Sequence, residues 1–313
     1  MLLKEYLIGT GGWAYFRVPR LKPLVAYSRI FNFVEVNSTF YEIPPISKVE
    51  NWRKLVPGDF EFSVRAHKLI THTYRLNPEN RVFEAFDNMK KICSALRAEI
   101  LHLQAPPSFK IGSESVKQIQ QTLSSLSLGS LRLAFEIRPA SQSSGLPSDL
   151  LRVMQDNNMI HSVDLSKGEK PAYETDILYT RLFGKGMHNV YQPTDEQLEE
   201  VDRKAAVSKS EKIVMSFHYV KMYKDAARMK TYKQTQKFPS VTNSIGIASL
   251  EEVLREDAKF PATKEQLVQC QGWKLFDLNK TQRLTAAECL DKLPEGTYNS
   301  LADVIEKIEP MLE

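Results

Sequence analysis

The chain contains 313 residues, and its 42% hydrophobic and 26% charged content is that of an ordinary globular protein. No apolar stretch approaches the ~20 residues that a transmembrane helix needs, which argues against any membrane partner. The three cysteines are widely spaced without a CxxC pair, which argues against a disulfide framework or cysteine zinc site and predicts a cytoplasmic protein.

Short apolar runs alternate with amphipathic segments through most of the chain. Strands are predicted at 6–10, 33–37, 60–66, 99–104, 132–137, 160–164, 178–182 and 212–217. Helices are predicted at 21–30, 47–55, 79–97, 114–126, 147–158, 194–208 and 220–235. This alternation indicates a parallel sheet with outer helices, and eight strands predict a closed TIM-type (β/α)8 barrel. The polar link KGEKPAYETD predicts an irregular connection between strands six and seven.

Near residue 240 the composition changes, which predicts a β/α barrel over 1–240 and a small acidic helical domain over 241–313. The C-terminal part holds 8 basic against 13 acidic residues, a balance of −5, whereas the remainder holds 34 against 25, or +9. Thr263 with Glu265, and Ser300 with Asp303, are placed as helix N-terminal caps. We expect this domain to provide a contact surface for a protein partner.

Polar residues follow the apolar part of nearly every predicted strand. They are Glu35, Asn37, Arg65, Lys68, Gln104, Glu136, Arg138, Asp164, Arg181 and His218. Because catalytic groups of a β/α barrel lie at the C-terminal ends of its strands, these side chains are expected around one cavity.

Three roles are compatible with the acidic and imidazole groups expected around that cavity. Glu35, Glu136, Asp164 and His218 could be the catalytic set, with Glu35, Glu136 and Asp164 holding Mg²⁺, Mn²⁺ or Zn²⁺ to activate water. Without a metal, Glu35 and Glu136 could act as general base and acid. Alternatively, the two glutamates pair with Arg65 and Arg138 in a structural ion network.

The cations indicate an anionic ligand. Arg65, Lys68, Arg138 and Arg181 come from different strands, and arginine matches phosphate with a bidentate fork. The GTGG turn at 9–12 could also cradle a phosphate, although a simple tight turn is favoured. If 220–235 is helical, Lys221, Lys224 and Arg228 share a face toward solvent, which predicts a nucleic-acid contact.

Seven blocks resemble, in order, the YecE-like family of uncharacterised proteins, known as domain of unknown function 72. They are GTGGWAYF, FNFVEVNSTFYEIP, ENW, FEFSVRAHKLITH, LHLQAPPSF, AFEIRP and YTRLFG. The resemblance implies a TIM-type barrel with one pocket, whose residues would be Trp13, Glu35, Asn37, Tyr41, Arg65, His72, Gln104, Glu136, Arg138, Asp164 and Arg181. The C-terminal part is similar to a small family of helical domains without an established role.

Together these features favour a phosphate-binding barrel that hydrolyses phosphodiesters in nucleic acid with a divalent metal. A sugar or sugar-phosphate enzyme that uses Glu35 and Glu136 directly, with Trp13 against the sugar ring, is the second hypothesis. A non-catalytic nucleic-acid or protein-binding module is the third.

Overall fold

Eight parallel strands form one sheet, as the alternation predicts. The structure, a computed structural model, describes residues 4–137 and 145–312. The strands are β1 (Glu5–Thr10), β2 (Phe33–Val36), β3 (Glu61–Arg65), β4 (Ile100–Gln104), β5 (Arg132–Glu136), β6 (Ile160–Ser162), β7 (Ile177–Leu182) and β8 (Lys212–Phe217). Their order is β6-β5-β4-β3-β2-β1-β8-β7, so β6 and β7 are the neighbours that must meet to close a barrel.

Strands β6 and β7 meet through one short parallel bridge beyond the end of β6. Val163 pairs with Thr180, and the Arg181 N–H donates to the Val163 carbonyl at 3.1 Å. A single 3₁₀ turn, Leu165–Lys167, is the helical element described between the two strands. The predicted barrel and its irregularity at strands six and seven are therefore confirmed.

The seven predicted helices are present, with ends shifted by at most two residues. They are α1 (Pro23–Ser28), α2 (Ile46–Lys54), α3 (Asn80–Leu96), α4 (Ser113–Ser124), α5 (Ser148–Asp156), α6 (Asp195–Ala206) and α7 (Met222–Thr235). Apolar residues at spacings of three and four give α3 a buried face that includes Phe86, Met89 and Cys93. No helix within the described residues is long and apolar enough to cross a membrane.

The packing divides the chain into two compact units. The first contains Met1–Leu182 and Lys204–His218, and the second contains Phe183–Arg203 and Tyr219–Glu313. The first holds all eight strands and an internal apolar layer made by Leu7, Phe33, Ile100, Ala134, Ile160, Ile177, Tyr179 and Val214. A boundary at 240/241 stays a prediction, because this division describes packing and not independent folding.

The C-terminal part of the second unit has its own core, built around Leu250, Phe276 and Val304. Its helices are α8 (Ile247–Arg255), α9 (Lys264–Gln271), α10 (Ala287–Leu290) and α11 (Leu301–Ile308). It also has two antiparallel pairs, β9 (Ala262–Thr263) with β12 (Thr297–Tyr298) and β10 (Leu275–Asp277) with β11 (Arg283–Thr285). The prediction of helices alone was incomplete, because strands of two or three residues are too short to show a period.

The expected helix caps of this part are present, with one change of partner. Thr263 accepts from the backbone of Gln266, which completes a capping box in place of the expected Glu265. Ser300 accepts from the backbone of Asp303, as expected.

Candidate functional site

Seven of the predicted site residues gather at the C-terminal end of the barrel. Glu35 and Arg181 are penultimate in β2 and β7, whereas Arg65, Gln104 and Glu136 end β3, β4 and β5. Asn37 follows β2 directly and His218 follows β8 directly. All seven lie in the first compact unit, so the parallel strands bring together residues that are far apart in the chain.

Arg181 is the centre of a buried ion network. It donates from Nε and Nη2 to the two carboxylate oxygens of Glu35, at 3.0 and 2.9 Å. Its Nη1 donates to Glu136 Oε2 at 2.5 Å and to Gln104 Oε1 at 3.0 Å. Both glutamates therefore pair with Arg181, whereas the structural ion network predicted from the sequence paired them with Arg65 and Arg138.

Glu35 is held as an anion by this network. Burial by itself would raise the pKa of Glu35, but Arg181, helped by His218, His102 and a hydrogen bond from Tyr179, lowers it to about 2. The same two glutamates raise the pKa of Arg181 against the effect of burial. A carboxylate with so low a pKa is a poor general base near neutral pH, so Glu35 is better suited to anchoring Arg181.

A second polar layer lies one step deeper in the barrel. The Tyr179 hydroxyl donates to Glu35 Oε2 at 2.7 Å and lies 2.7 Å from Ser63 Oγ. His102 Nε2 lies 3.4 Å from Glu136 Oε2 and 3.3 Å from Ser162 Oγ, with its ring stacked on Tyr179. The predicted set of site residues did not include these four side chains.

A signal for this second layer was present in the sequence. Tyr179, Ser63, His102 and Ser162 each stand two positions before a predicted site residue. Because residues two apart on a strand point to the same face, a polar residue at that spacing also faces the barrel interior.

The two imidazoles of the network are neutral near physiological pH. Burial, assisted by Arg181, lowers the pKa of His218 well below its usual value of 6.5 and also lowers that of His102. His218 Nε2 lies 3.1 Å from Ser216 Oγ and 3.5 Å from Glu35 Oε1. His218 is therefore available as a neutral hydrogen-bonding group.

Arg65 differs from Arg181 because no carboxylate pairs with it among the described residues. Its guanidinium carbon lies 3.9 Å from the centroid of the Phe40 ring, and Nη1 makes one long hydrogen bond, 3.5 Å, to Asn37 Oδ1. The buried Nε has no hydrogen-bond partner. Burial and the nearby Arg181 lower the pKa of Arg65 to about 10, although Glu35 and Glu136 oppose the change.

Other predicted pocket residues lie on the loops around this network. Trp13 packs edge-on against Trp52, with ring centroids 5.2 Å apart. His72 packs edge-on against Phe40 at 4.8 Å and lies in a π-helical turn, Leu69–Thr73, of a kind often found at functional sites.

Tyr41 and Lys68 are more open to solvent. Tyr41 is 67% exposed and packs edge-on against Phe40, with ring centroids 5.0 Å apart. Lys68 is exposed directly before the π-helical turn. Neither side chain is linked to Arg181 by a described hydrogen bond.

Three other predicted features, Asp164, Arg138 and the GTGG turn, do not contribute described contacts to the Arg181 network. Asp164 is engaged locally, since its Oδ1 accepts from the Ser166 backbone at 3.0 Å and its Oδ2 lies 4.0 Å from Lys167 Nζ. Arg138 lies outside the described residues. The backbone amides of Gly11 and Gly12 donate to the carbonyls of Phe217 and Thr10, so these two amides do not form a phosphate cradle.

The predicted metal ligands do not form a ready metal site. Glu35 uses both oxygens on Arg181, and Asp164 accepts from Ser166. In residues 4–137 and 145–312, no group of three or more His, Cys, Asp or Glu side chains is placed to hold a metal ion. The divalent metal stays a prediction.

The predicted nucleic-acid face in the second unit is largely neutralised, and one part of that prediction was wrong. Arg228 is 2% exposed rather than solvent-facing, because Asp225 and Asp195 pair with it at 2.9 and 2.6 Å. Lys221 and Lys224 both lie within ion-pair distance of Glu256, at 2.6 and 3.5 Å. These cations therefore have internal acidic partners.

Comparisons with known proteins identify relatives of the chain. Residues 7–243 match the family model described as "Protein of unknown function DUF72". The UPF0759 protein YunF of Bacillus subtilis (strain 168) is 28% identical over 168 residues, which are 50% of this chain and 59% of that protein. The chain thus aligns with little more than half the length of this curated relative.

Two solved DUF72 family proteins show the same fold. The protein from Enterococcus faecalis V583 has a TM-score of 0.58 and 18% identity, with 75% of this chain and 99% of the other covered. The protein from Thermotoga maritima MSB8 has a TM-score of 0.58 and 19% identity, with 74% and 99% covered. The resemblance read from the seven sequence blocks is confirmed, and the chain belongs to the DUF72 family of TIM-barrel proteins.

Proposed function

We propose that the C-terminal end of this barrel binds a phosphate-bearing ligand, with Arg65 as its main cationic contact. The observation that carries the proposal is the state of Arg65, which is largely buried without a carboxylate partner among the described residues. A buried charge is costly unless it is paired, and an anionic ligand would supply the pair.

The surrounding residues support a role in binding rather than in folding alone. Phe40 stacks on the guanidinium, and Asn37 holds Nη1 while its own Nδ2 donates to the Gly11 carbonyl at 2.8 Å. These contacts fix the guanidinium plane without neutralising its charge. Planar, fixed guanidinium groups favour bidentate recognition of phosphate.

The Arg181 network has a different role in the proposal. Glu35 and Glu136 neutralise Arg181, so this arginine is committed to the protein. It also lies near enough to Arg65 to lower the pKa of that side chain, an effect that Glu35 and Glu136 oppose. Arg181 is therefore a positioning residue, and Arg65 is the contact.

Isothermal titration with inorganic phosphate and thymidine monophosphate tests the proposal. We expect Arg65→Gln to lower the affinity for both ligands about tenfold, because one charge-assisted contact is lost. Arg29→Gln is the matched control, because Arg29 is exposed at the end of α1 that precedes β2, away from the C-terminal strand ends. Equal affinities of the wild type and Arg65→Gln would refute the proposal, and acetate binding as tightly as phosphate would assign the site to carboxylates.

Phosphodiester hydrolysis of nucleic acid stays the predicted reaction at this site. Glu136, which contacts Arg181, and the neutral His218, 3.5 Å from Glu35, are the residues that we assign to proton exchange with a ligand, since Glu35 is fixed in its ionised form. Release of nitrophenolate from bis(nitrophenyl) phosphate, measured with added Mg²⁺, Mn²⁺ or Zn²⁺ and lost in Glu136→Gln, would support it. No release with any of these ions would refute the hydrolase and leave the binding proposal standing.

A further inference from the structure

A polar cleft lies on two loops that follow neighbouring strands of the barrel. Its volume is about 520 Å³, and its lining comprises Arg75, Asn77, Ser108, Phe109, Lys110, Ser115 and Gln118. The Arg75 loop follows β3 and the Lys110 loop follows β4, and these two strands pair with each other. The cleft is therefore built on the same end of the barrel as Arg65.

The charge of this cleft is entirely positive. Arg75 and Lys110 are its two ionisable side chains, and no acidic side chain lines it. In the part of the chain that the structure describes, neither cation forms an ion pair or a side-chain hydrogen bond. This contrasts with Lys221, Lys224 and Arg228 in the second unit, which all have acidic partners.

The backbone holds Arg75 in place at an energetic cost. Arg75 and Leu76 are both left-handed, with φ of 52° and 60°, a strained conformation for a non-glycine residue. Leu76 is 2% exposed, its N–H donates to the Ile70 carbonyl at 2.8 Å, and its carbonyl accepts from Thr122 Oγ1 at 2.7 Å. These anchors fix the turn from which the Arg75 side chain projects.

We infer that the Arg75–Lys110 cleft is a second phosphate-binding site. The inference rests on the proposed phosphate binding at Arg65. With two such sites, the ligand is a nucleic-acid strand whose phosphates reach both, and not a molecule with a single phosphate. Ser108 and Asn77 in the lining can donate to phosphate oxygens beside the cations, whereas the Ser115 hydroxyl donates to the Lys110 and Gly112 carbonyls and the Gln118 amide donates to Glu114. A strand bound this way carries the salt dependence expected of phosphate contacts.

Fluorescence anisotropy with labelled oligothymidylates of about 4 and about 16 nucleotides tests the inference. We expect Arg75→Gln/Lys110→Gln to lower the affinity for the long oligonucleotide about tenfold. The slope of log affinity against log salt concentration should become shallower by ~1.4, since each single-strand phosphate contact contributes ~0.7. Affinity for the short strand should stay within about twofold, because the Arg65 site alone holds it. Glutamine keeps the polarity of both positions, and circular dichroism verifies the fold.

Arg29→Gln/Lys54→Gln removes the same charge from exposed positions near the other end of the strands and serves as the control. Equal losses in the control and in the cleft variant would overturn the inference, as would an unchanged long-strand affinity. If Arg65→Gln still weakens the binding of both oligonucleotides when the cleft variant shows no specific loss, the proposed Arg65 site stands without the second site. A loss of affinity in the cleft variant without a loss in Arg65→Gln would overturn the inference that one strand reaches both sites. Absence of binding of either oligonucleotide at low salt would overturn both proposals.

Discussion

Replacing Arg181 by methionine should strongly destabilise the barrel, because it leaves two buried carboxylates without their cation. Glu35 alone illustrates the magnitude. Its pKa of about 2 lies below its usual 4.5, and at about 1.4 kcal/mol per pH unit this is worth ~3 kcal/mol of stability at neutral pH. Removing one member of a buried ion pair costs about 3–5 kcal/mol, so we expect Arg181→Met to lose an amount in that range.

The loss should depend on pH in a defined direction. In the wild type, the low pKa of Glu35 contributes stability that is present above pH 4.5 and is lost as the pH falls toward 2. In Arg181→Met, burial without the cation raises the pKa of Glu35, so protonation relieves the buried charge. The difference in unfolding free energy between the two proteins should therefore be largest at pH 7 and shrink as the pH falls toward 4.5.

Urea unfolding followed by circular dichroism measures both effects. Glu35→Gln/Glu136→Gln/Arg181→Met, which removes all three charges, should recover part of the stability lost in Arg181→Met. Arg29→Met is the surface control and should change the unfolding free energy by less than about 0.5 kcal/mol. A loss below about 1 kcal/mol in Arg181→Met, or a loss that is constant between pH 7 and pH 5, would refute the buried network.

Two further predictions concern the anion site. Phosphate affinity should fall about tenfold per pH unit above pH 10, because the pKa of Arg65 in the free protein is about 10 and only the charged form binds; constant affinity up to pH 11 would contradict this. Gly11→Ala should weaken phosphate binding severalfold, since its Cβ would lie 2.2 Å from the His218 ring and 2.6 Å from Asn37 Nδ2. Calorimetry should show no effect for Gly58→Ala, whose Cβ meets nothing within 4 Å.

The sequence was sufficient to predict the barrel and the end of it that carries polar groups. Most of the strands are buried apolar runs whose last residues break into Glu, Gln, Arg or His, so the C-terminal edge of the barrel follows from local pattern. Even the missing helix after β6 could be predicted, because KGEKPAYETD offers no apolar face.

The pairing of charges could not be predicted, because it depends on register between distant strands. Arg65 ends β3 whereas Arg181 is penultimate in β7, and only the closed barrel places Arg181 between Glu35 and Glu136. Arg228 shows the same limit, since Asp195, the acid that helps to bury it, lies 33 residues earlier in the chain. Residue type indicates the charge, whereas the fold decides which charges are neutralised.

Crystals soaked in tungstate, an electron-dense analogue of phosphate, would locate a bound anion by its anomalous scattering. We expect an anomalous peak within hydrogen-bonding distance of the Arg65 guanidinium and its loss in crystals of Arg65→Gln. Tungstate bound only to exposed lysines, with none at Arg65, would contradict it.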